Sequence, residues 1–205
     1  MARLVLHEYA ASGNCYKVRL TAALLGLPLE RREYDIMNGE TRTPEFLAEV
    51  NANGRIPVLQ VGNRFIAESN AACFYLADGS HLVAGDRFER ADMLRWMFFE
   101  QYSHEPNVAT LRFWLGWIGE ENWSDAQRAA APGKRAAGEA ALKLMDEHLS
   151  GADWLVGGAL TLADITLYAY THVAGDAFFM LEDYPAVQAW LGRVEAEPGY
   201  IPIDA

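Results

Sequence analysis

The chain has 205 residues, 51% hydrophobic and 22% charged, enough to bury one large core or two smaller ones. Its 17 basic and 28 acidic side chains leave a net charge of −11, which argues against nucleic acid and anionic membrane surfaces as partners. No apolar run is long enough to cross a bilayer, and the apolar stretch near the N-terminus is too short for a secretory signal. Cys15 and Cys73 form no CxxC or metal spacing and the five histidines are scattered, so the expectation is a cytoplasmic protein that works without a metal.

Residues 4–9 predict a short strand ending in the small-residue turn Ala10-Ala11-Ser12-Gly13. A helix follows, with Val18, Ala22 and Leu25 on one face and Gly26 and Pro28 as its stop. A weaker strand over 29–34 completes a β-α-β unit, which implies a parallel pair. Two short runs around Gly62-Asn63 read as a tight hairpin, and a helix over 68–77 closes the unit.

Beyond the linker at 83–86 everything reads as helix. The segment 87–99 carries Leu94, Trp96, Met97, Phe98 and Phe99 on more than one face, so it must be covered on more than one side. Pro106 predicts a kink or break, after which the helix resumes. Leu142, Met145 and Leu149 form one apolar stripe, and Val187, Trp190, Leu191 and Val194 another. Thr161-Leu162-Ala163-Asp164 is a capping box with Asp at the acidic position, which makes Asp164 a folding residue whose loss costs ~1 kcal/mol. The fold class is α+β: a first domain over 1–79, then an all-α domain over 86–205.

The most informative stretch runs from Arg55-Ile56-Pro57-Val58 to Glu68-Ser69. Proline cannot donate to a sheet ladder and belongs at a strand's first residue. A cis Ile56-Pro57 bond would turn the backbone of Ile56 outward, where it pairs with a peptide-like ligand as an added strand does. Ser69 is placed to cap the next helix, whose first N–H groups suit a carboxylate, and Glu68 offers an anion for an ammonium group. Together these describe a receptor for a small peptide with a free amino-acid end.

The run Ile56-Pro57-Val58-Leu59 … Glu68-Ser69-Asn70-Ala71 resembles the glutathione site of the cytosolic glutathione S-transferase family. The resemblance extends over almost the whole chain, through Ser12-Gly13-Asn14-Cys15-Tyr16-Lys17-Val18, Pro44-Glu45-Phe46-Leu47, Asn51-Ala52-Asn53-Gly54, Gly157-Gly158, Thr161-Leu162-Ala163-Asp164 and Tyr184-Pro185-Ala186-Val187. It is of the bacterial type, with a serine- or asparagine-like active site. It implies a thioredoxin-like N-terminal domain before the helical one, glutathione as co-substrate, a homodimer and a role in detoxification. The activity implied is a transferase that activates the glutathione thiol for conjugation to, or reduction of, a small hydrophobic electrophile. The alternatives are a non-catalytic ligand carrier or assembly module, or a glutathione-dependent disulfide or peroxide reductase.

Three residues compete for the thiol. Ser12 takes the place of the activating hydroxyl in serine-type members and reads equally as a turn or cap residue. Asn14 could donate through its amide, and Cys15, in the first helical turn, could form a mixed disulfide or simply be a small buried residue. Asn53, Arg55, Ile56, Pro57, Glu68 and Ser69 make up the expected glutathione-binding set, with Lys17 and Arg42 as weaker options for the glycine carboxylate. Tyr9, Tyr102, His104, Arg112 and Phe113 are the expected electrophile pocket, with Glu105 among the polar groups around Pro106.

Overall fold

The computed structural model describes residues 3–205, which form two compact units: residues 3–83 with 197–205, and residues 84–196. The last nine residues therefore pack with the first unit rather than with the helical domain expected over 86–205. The helical segment itself closes at residue 196.

The first unit is built on a four-stranded sheet in the order β2-β1-β3-β4, with β1 at Leu4–Glu8, β2 at Glu30–Glu33, β3 at Val58–Val61 and β4 at Arg64–Ala67. β1 and β2 are parallel, as the crossover predicts, and β1-β3 and β3-β4 are antiparallel. Gly62 takes φ +62 in the tight turn that sets Val61 opposite Arg64, a conformation available to glycine without steric cost. Three helices complete the unit: α1 (Gly13–Leu24), α2 (Pro44–Glu49) and α3 (Ser69–Ala77). α1 and α3 pack against each other and against the sheet, burying Cys15, Val18, Leu20, Ala72 and Cys73. On β1, His7 is buried between Tyr34 and Gln60, with Nδ1 2.8 Å from the Tyr34 hydroxyl and Nε2 3.0 Å from Gln60 Oε1.

The next residue of β1 carries a buried charge. Glu8 is wholly enclosed and paired with Arg19, at 3.1 Å, and with Arg31. The same two arginines hold the returning C-terminal segment. Arg19 donates to the carbonyls of Ala10, Ile203 and Ala205, and Arg31 to that of Ala205. Tyr16 adds a hydroxyl bond to the Ile201 carbonyl at 2.6 Å. A buried carboxylate is tolerated only when its charge is paired, and two guanidinium groups supply the opposite charge here.

The second unit is all helix: α4 (Arg87–Phe99), α5 (Glu105–Phe113), α6 (Asp125–Leu149), α7 (Leu162–Thr171) and α8 (Pro185–Glu195). The chain does not break at Pro106. It passes from α4 to α5 through one wide turn, residues 100–104, where Glu105 N–H reaches back five residues to Glu100 O. That wider turn accommodates a proline that has no N–H to give the regular ladder. Trp114–Ile118 is a second turn of the same kind. The core includes Val108, Leu111, Leu142, Tyr170, Ala174 and Phe179.

The capping box at Thr161 is present, and its acid does more than cap. Asp164 is fully buried and accepts from Thr161 N–H and Oγ1 at 2.9 and 3.1 Å, from Leu155 N–H at 3.0 Å, and from Trp190 Nε1 at 2.9 Å. No helix among the described residues is long and apolar enough to cross a membrane.

Candidate functional site

The residues expected to bind a peptide all belong to the first unit, at the starts of α1 and α3 and in the loop before β3. Ser12 is the N-cap of α1: its Oγ accepts the Cys15 N–H at 3.4 Å, and its carbonyl accepts Tyr16 N–H at 2.9 Å. A hydroxyl carries one donor and two acceptor lone pairs, so capping leaves the Ser12 proton to donate. The two readings of Ser12 are therefore compatible. Tyr9 contributes backbone here, its carbonyl accepting Ser12 N–H at 2.9 Å and its N–H approaching Cys15 Sγ at 3.5 Å.

Cys15 is corrected. Its thiol is completely buried, and that burial pushes its pKa up to about 12 despite the opposing bonds from Tyr9 and Ser12. Desolvation outweighs the first-turn dipole that placed Cys15 among the thiol-site residues. It is a packing residue of α1.

Asn14 and Ser69 touch. Asn14 Oδ1 accepts from Lys17 Nζ at 2.7 Å and from Ser69 Oγ at 3.3 Å, so one amide joins the first turn of α1 to the start of α3. Lys17, expected near a glycine carboxylate, is instead wholly buried beneath this pair. Ser69 does not take the capping position expected of it. It is the first residue of α3 rather than its cap, and its buried hydroxyl turns inward to Asn14. The cap position belongs to Glu68, which makes no side-chain cap bond and sits at φ +70.

That backbone is unusual. A non-glycine residue in the left-handed half of φ space costs on the order of 1–2 kcal/mol and persists only where the surroundings impose it. The result is an exposed carboxylate beside the first turn of α3, whose intrahelical bonding starts with Ala72 N–H on Glu68 O at 3.0 Å. The N–H groups of a first helical turn precede the ladder and suit an anion. The Ile56-Pro57 peptide is cis, and among the described residues the N–H and C=O of Ile56 make no hydrogen bond. Asn53 and Arg55 are exposed in the loop before it. Their carbonyls accept from Arg42 Nη1 at 3.1 Å and Asn51 Nδ2 at 2.9 Å, which ties Arg42 to the loop's own backbone.

Residues 4–78 match the N-terminal domain of glutathione S-transferases, and residues 113–198 match the C-terminal domain. A glutathione S-transferase structure from Pseudomonas fluorescens Pf-5 is 42% identical and superposes with a TM-score of 0.92, over 98% of each chain. The chain belongs to the glutathione S-transferase family.

Among other members, the glutathione S-transferase-like protein LUC7 of a Fusarium species is 30% identical, over 94% of this chain and 89% of its own. The glutathione transferase URE2P8 of Phanerochaete chrysosporium, solved with oxidised glutathione, is 26% identical with a TM-score of 0.84, over 97% of this chain and 92% of its own. Some relatives are larger, and the chain spans 47% of an elongation factor 1-gamma of rice.

The residues expected to receive an electrophile are in the helical unit, Tyr9 excepted. Tyr102 is 87% exposed. Arg112 and Phe113 are joined through Trp117: the Arg112 guanidinium lies 5.0 Å from that ring's centroid, Phe113 stacks on it at 6.0 Å, and Arg112 Nε pairs with Asp176 at 2.9 Å. His104 is fully buried, with Nε2 3.0 Å from Thr171 Oγ1, and it links α7 to the wide turn before α5. The helical unit also has a cavity of about 470 Å³ that the sequence reading missed, lined by Leu111, Leu115, Trp123, Arg128, Arg135 and Phe178 among others. None of the four expected residues of this unit lines it.

Proposed function

We propose that this protein is a glutathione transferase that holds glutathione at the cis-proline turn and activates its thiol. The observation that carries the reading is Glu68, an exposed carboxylate held at φ +70 beside the first turn of α3. In this reading Glu68 takes the ammonium of the γ-glutamyl group, and the first-turn N–H groups of α3 take its carboxylate. Ile56 pairs backbone to backbone with the central cysteine of the tripeptide. The neighbour solved with oxidised glutathione supports the same ligand class.

Two donors face the sulfur in this proposal, the Ser12 hydroxyl and the Asn14 amide. The thiol of a free cysteine, with a pKa of about 8.5, is only a few per cent ionised at pH 7, and the thiolate is the nucleophile. One hydrogen bond to the charged form, ~1.5–3 kcal/mol, lowers that pKa by about one to two units. The proton passes to solvent, and the sulfur electron pair forms a bond to the electrophilic carbon, displacing a leaving group or adding across a polarised double bond. A lower pKa also weakens the nucleophile, with a Brønsted slope near ~0.45, so much of the acceleration comes from holding the two reactants together.

The second substrate is a small apolar electrophile, supported by the aromatic surface of Tyr102, Phe113 and Trp117 in the helical unit. Detoxification in a reducing cytoplasm is the setting this proposal gives it; Cys15 and Cys73 are both free thiols. The functional unit is a homodimer, supported by Phe88 and Phe98 on α4, which are 80% and 71% exposed.

Ultraviolet titration of bound glutathione tests the proposal. A thiol pKa at least one unit below that of free glutathione is expected, and Ser12→Ala should raise it while leaving affinity within a few-fold. Tight binding with an unshifted thiol would refute the transferase and leave a carrier.

A further inference from the structure

Lys17 is a side chain of this region whose chemistry the peptide-binding picture leaves unused. It is fully buried, on the face of α1 that meets α3, with its ammonium 2.7 Å from Asn14 Oδ1 and 3.5 Å from Ser69 Oγ. An apolar residue would fill such a position without the cost of desolvating a charge.

The contact decides how Asn14 points. Oxygen and nitrogen of an amide look alike in a structure, and their assignment rests on the partners. An ammonium has three donors and no acceptor, so the Asn14 atom facing Lys17 is the oxygen. The Ser69 hydroxyl, 3.3 Å from the same atom, donates to it as well. With both donors on the oxygen, the other branch of the amide is its NH2 group, a donor. An asparagine without these partners could rotate and present its oxygen to the sulfur, which would repel a thiolate.

We infer that Lys17 is the positioning residue of the thiol site: its ammonium fixes Asn14 with the NH2 group as a donor to the glutathione sulfur, and its charge favours the thiolate through that amide. This rests on the glutathione reading given above. At the effective dielectric of a partly buried site, an ammonium one side chain away from the sulfur lowers the thiol pKa by about one unit. Ser69 then has two tasks, a backbone N–H for the ligand and a side chain that completes the support of Asn14.

The test is ultraviolet titration of glutathione bound to Lys17→Met, Asn14→Ala, the double variant and Lys17→Arg, alongside the unaltered protein. Lys17→Met should raise the bound thiol pKa by about one unit and lower kcat at pH 6.5 about two- to fourfold, the loss of thiolate being partly offset by its greater nucleophilicity, with KM for glutathione changing about threefold or less. The double variant should be no worse than the stronger single one, because both remove the same donor. Lys17→Arg, which keeps the charge, should recover at least half of the shift. A purely structural lysine would lower the melting temperature and leave the thiol pKa where it was. A folded Lys17→Met with an unshifted thiol, or effects that add in the double variant, would overturn the inference. If Lys17→Met does not fold, Lys17→Gln, neutral but still polar, replaces it with the same outcomes. Failure of the unaltered protein to lower the thiol pKa strikes the transferase reading instead.

Discussion

Glu68 lends itself to a prediction in which stability and binding move in opposite directions. At φ +70 the glutamate holds a conformation that costs a side chain on the order of 1–2 kcal/mol, and glycine removes that cost. Glycine also loses more chain entropy on folding, ~0.5–1 kcal/mol, and that offsets part of the gain. Glu68 makes no side-chain cap bond, so no capping interaction is lost. Glu68→Gly should therefore stabilise the protein by roughly 0.5–1 kcal/mol, or about 1–4 °C in melting temperature for a chain of this size. Glutathione should bind about ten- to a hundredfold more weakly, because a charge-assisted contact to its ammonium contributes ~1.5–3 kcal/mol. Glu68→Gln, which keeps a side chain at the same φ, should lose the affinity without the stability gain. Thermal melts and titration calorimetry on the three proteins measure both quantities. A destabilised Glu68→Gly, or either variant with unchanged affinity, would refute the argument that this backbone is strained to present a carboxylate.

Asp164→Ala leaves Thr161 N–H, Leu155 N–H and Trp190 Nε1 buried without their acceptor, and should cost ~3–5 kcal/mol by denaturant titration, well above the ~1 kcal/mol of a simple cap. A loss of ~1 kcal/mol would mean that water or a rearranged loop satisfies those donors. Cys15, buried and with its pKa pushed up to about 12, should resist iodoacetamide at pH 8 in the native protein and react once the chain is unfolded in denaturant. A native adduct on residue 15, found by mass spectrometry, would return Cys15 to the thiol site. Phe98→Glu should convert a homodimer to a monomer in light scattering at micromolar concentration, since α4 exposes that ring. A monomeric unaltered protein would remove the dimer at once.

What the sequence made legible was local. The Gly62 turn, the β-α-β order, the cis-proline turn and the Thr161 box each depend on residues a few positions apart, and each is found where the pattern puts it. The start of α3 differs from the expected capping pattern by one residue. Ser69 is the expected cap type, but the left-handed backbone at Glu68 gives the glutamate the cap position and turns the serine inward. No residue preference announces a strained glutamate, so only the folded backbone reveals it. His104 read as a polar interruption of an aromatic stripe; its partner, Thr171, is 67 residues away and on another helix.

The same distance hides the support of the candidate thiol site. Asn14 and Lys17, three apart on α1, share a helix face, and their pairing could be drawn from spacing alone. What could not be drawn is that α3 covers that face, bringing Ser69 against both and removing water from the ammonium. A lysine in the second turn of a surface helix is ordinarily a solvated charge that contributes little; enclosed against another helix, it fixes the direction of its neighbour's amide. Glu8 makes the parallel case on β1, where Arg19 and Arg31 convert a charge at a core position into the anchor of the C-terminal segment. In both places the residue type alone predicts solvent, and the packing of two elements distant in sequence gives it a task. Substituting Lys17 therefore separates the two levels: spacing alone predicts a small effect, and the folded contact predicts a shifted thiol.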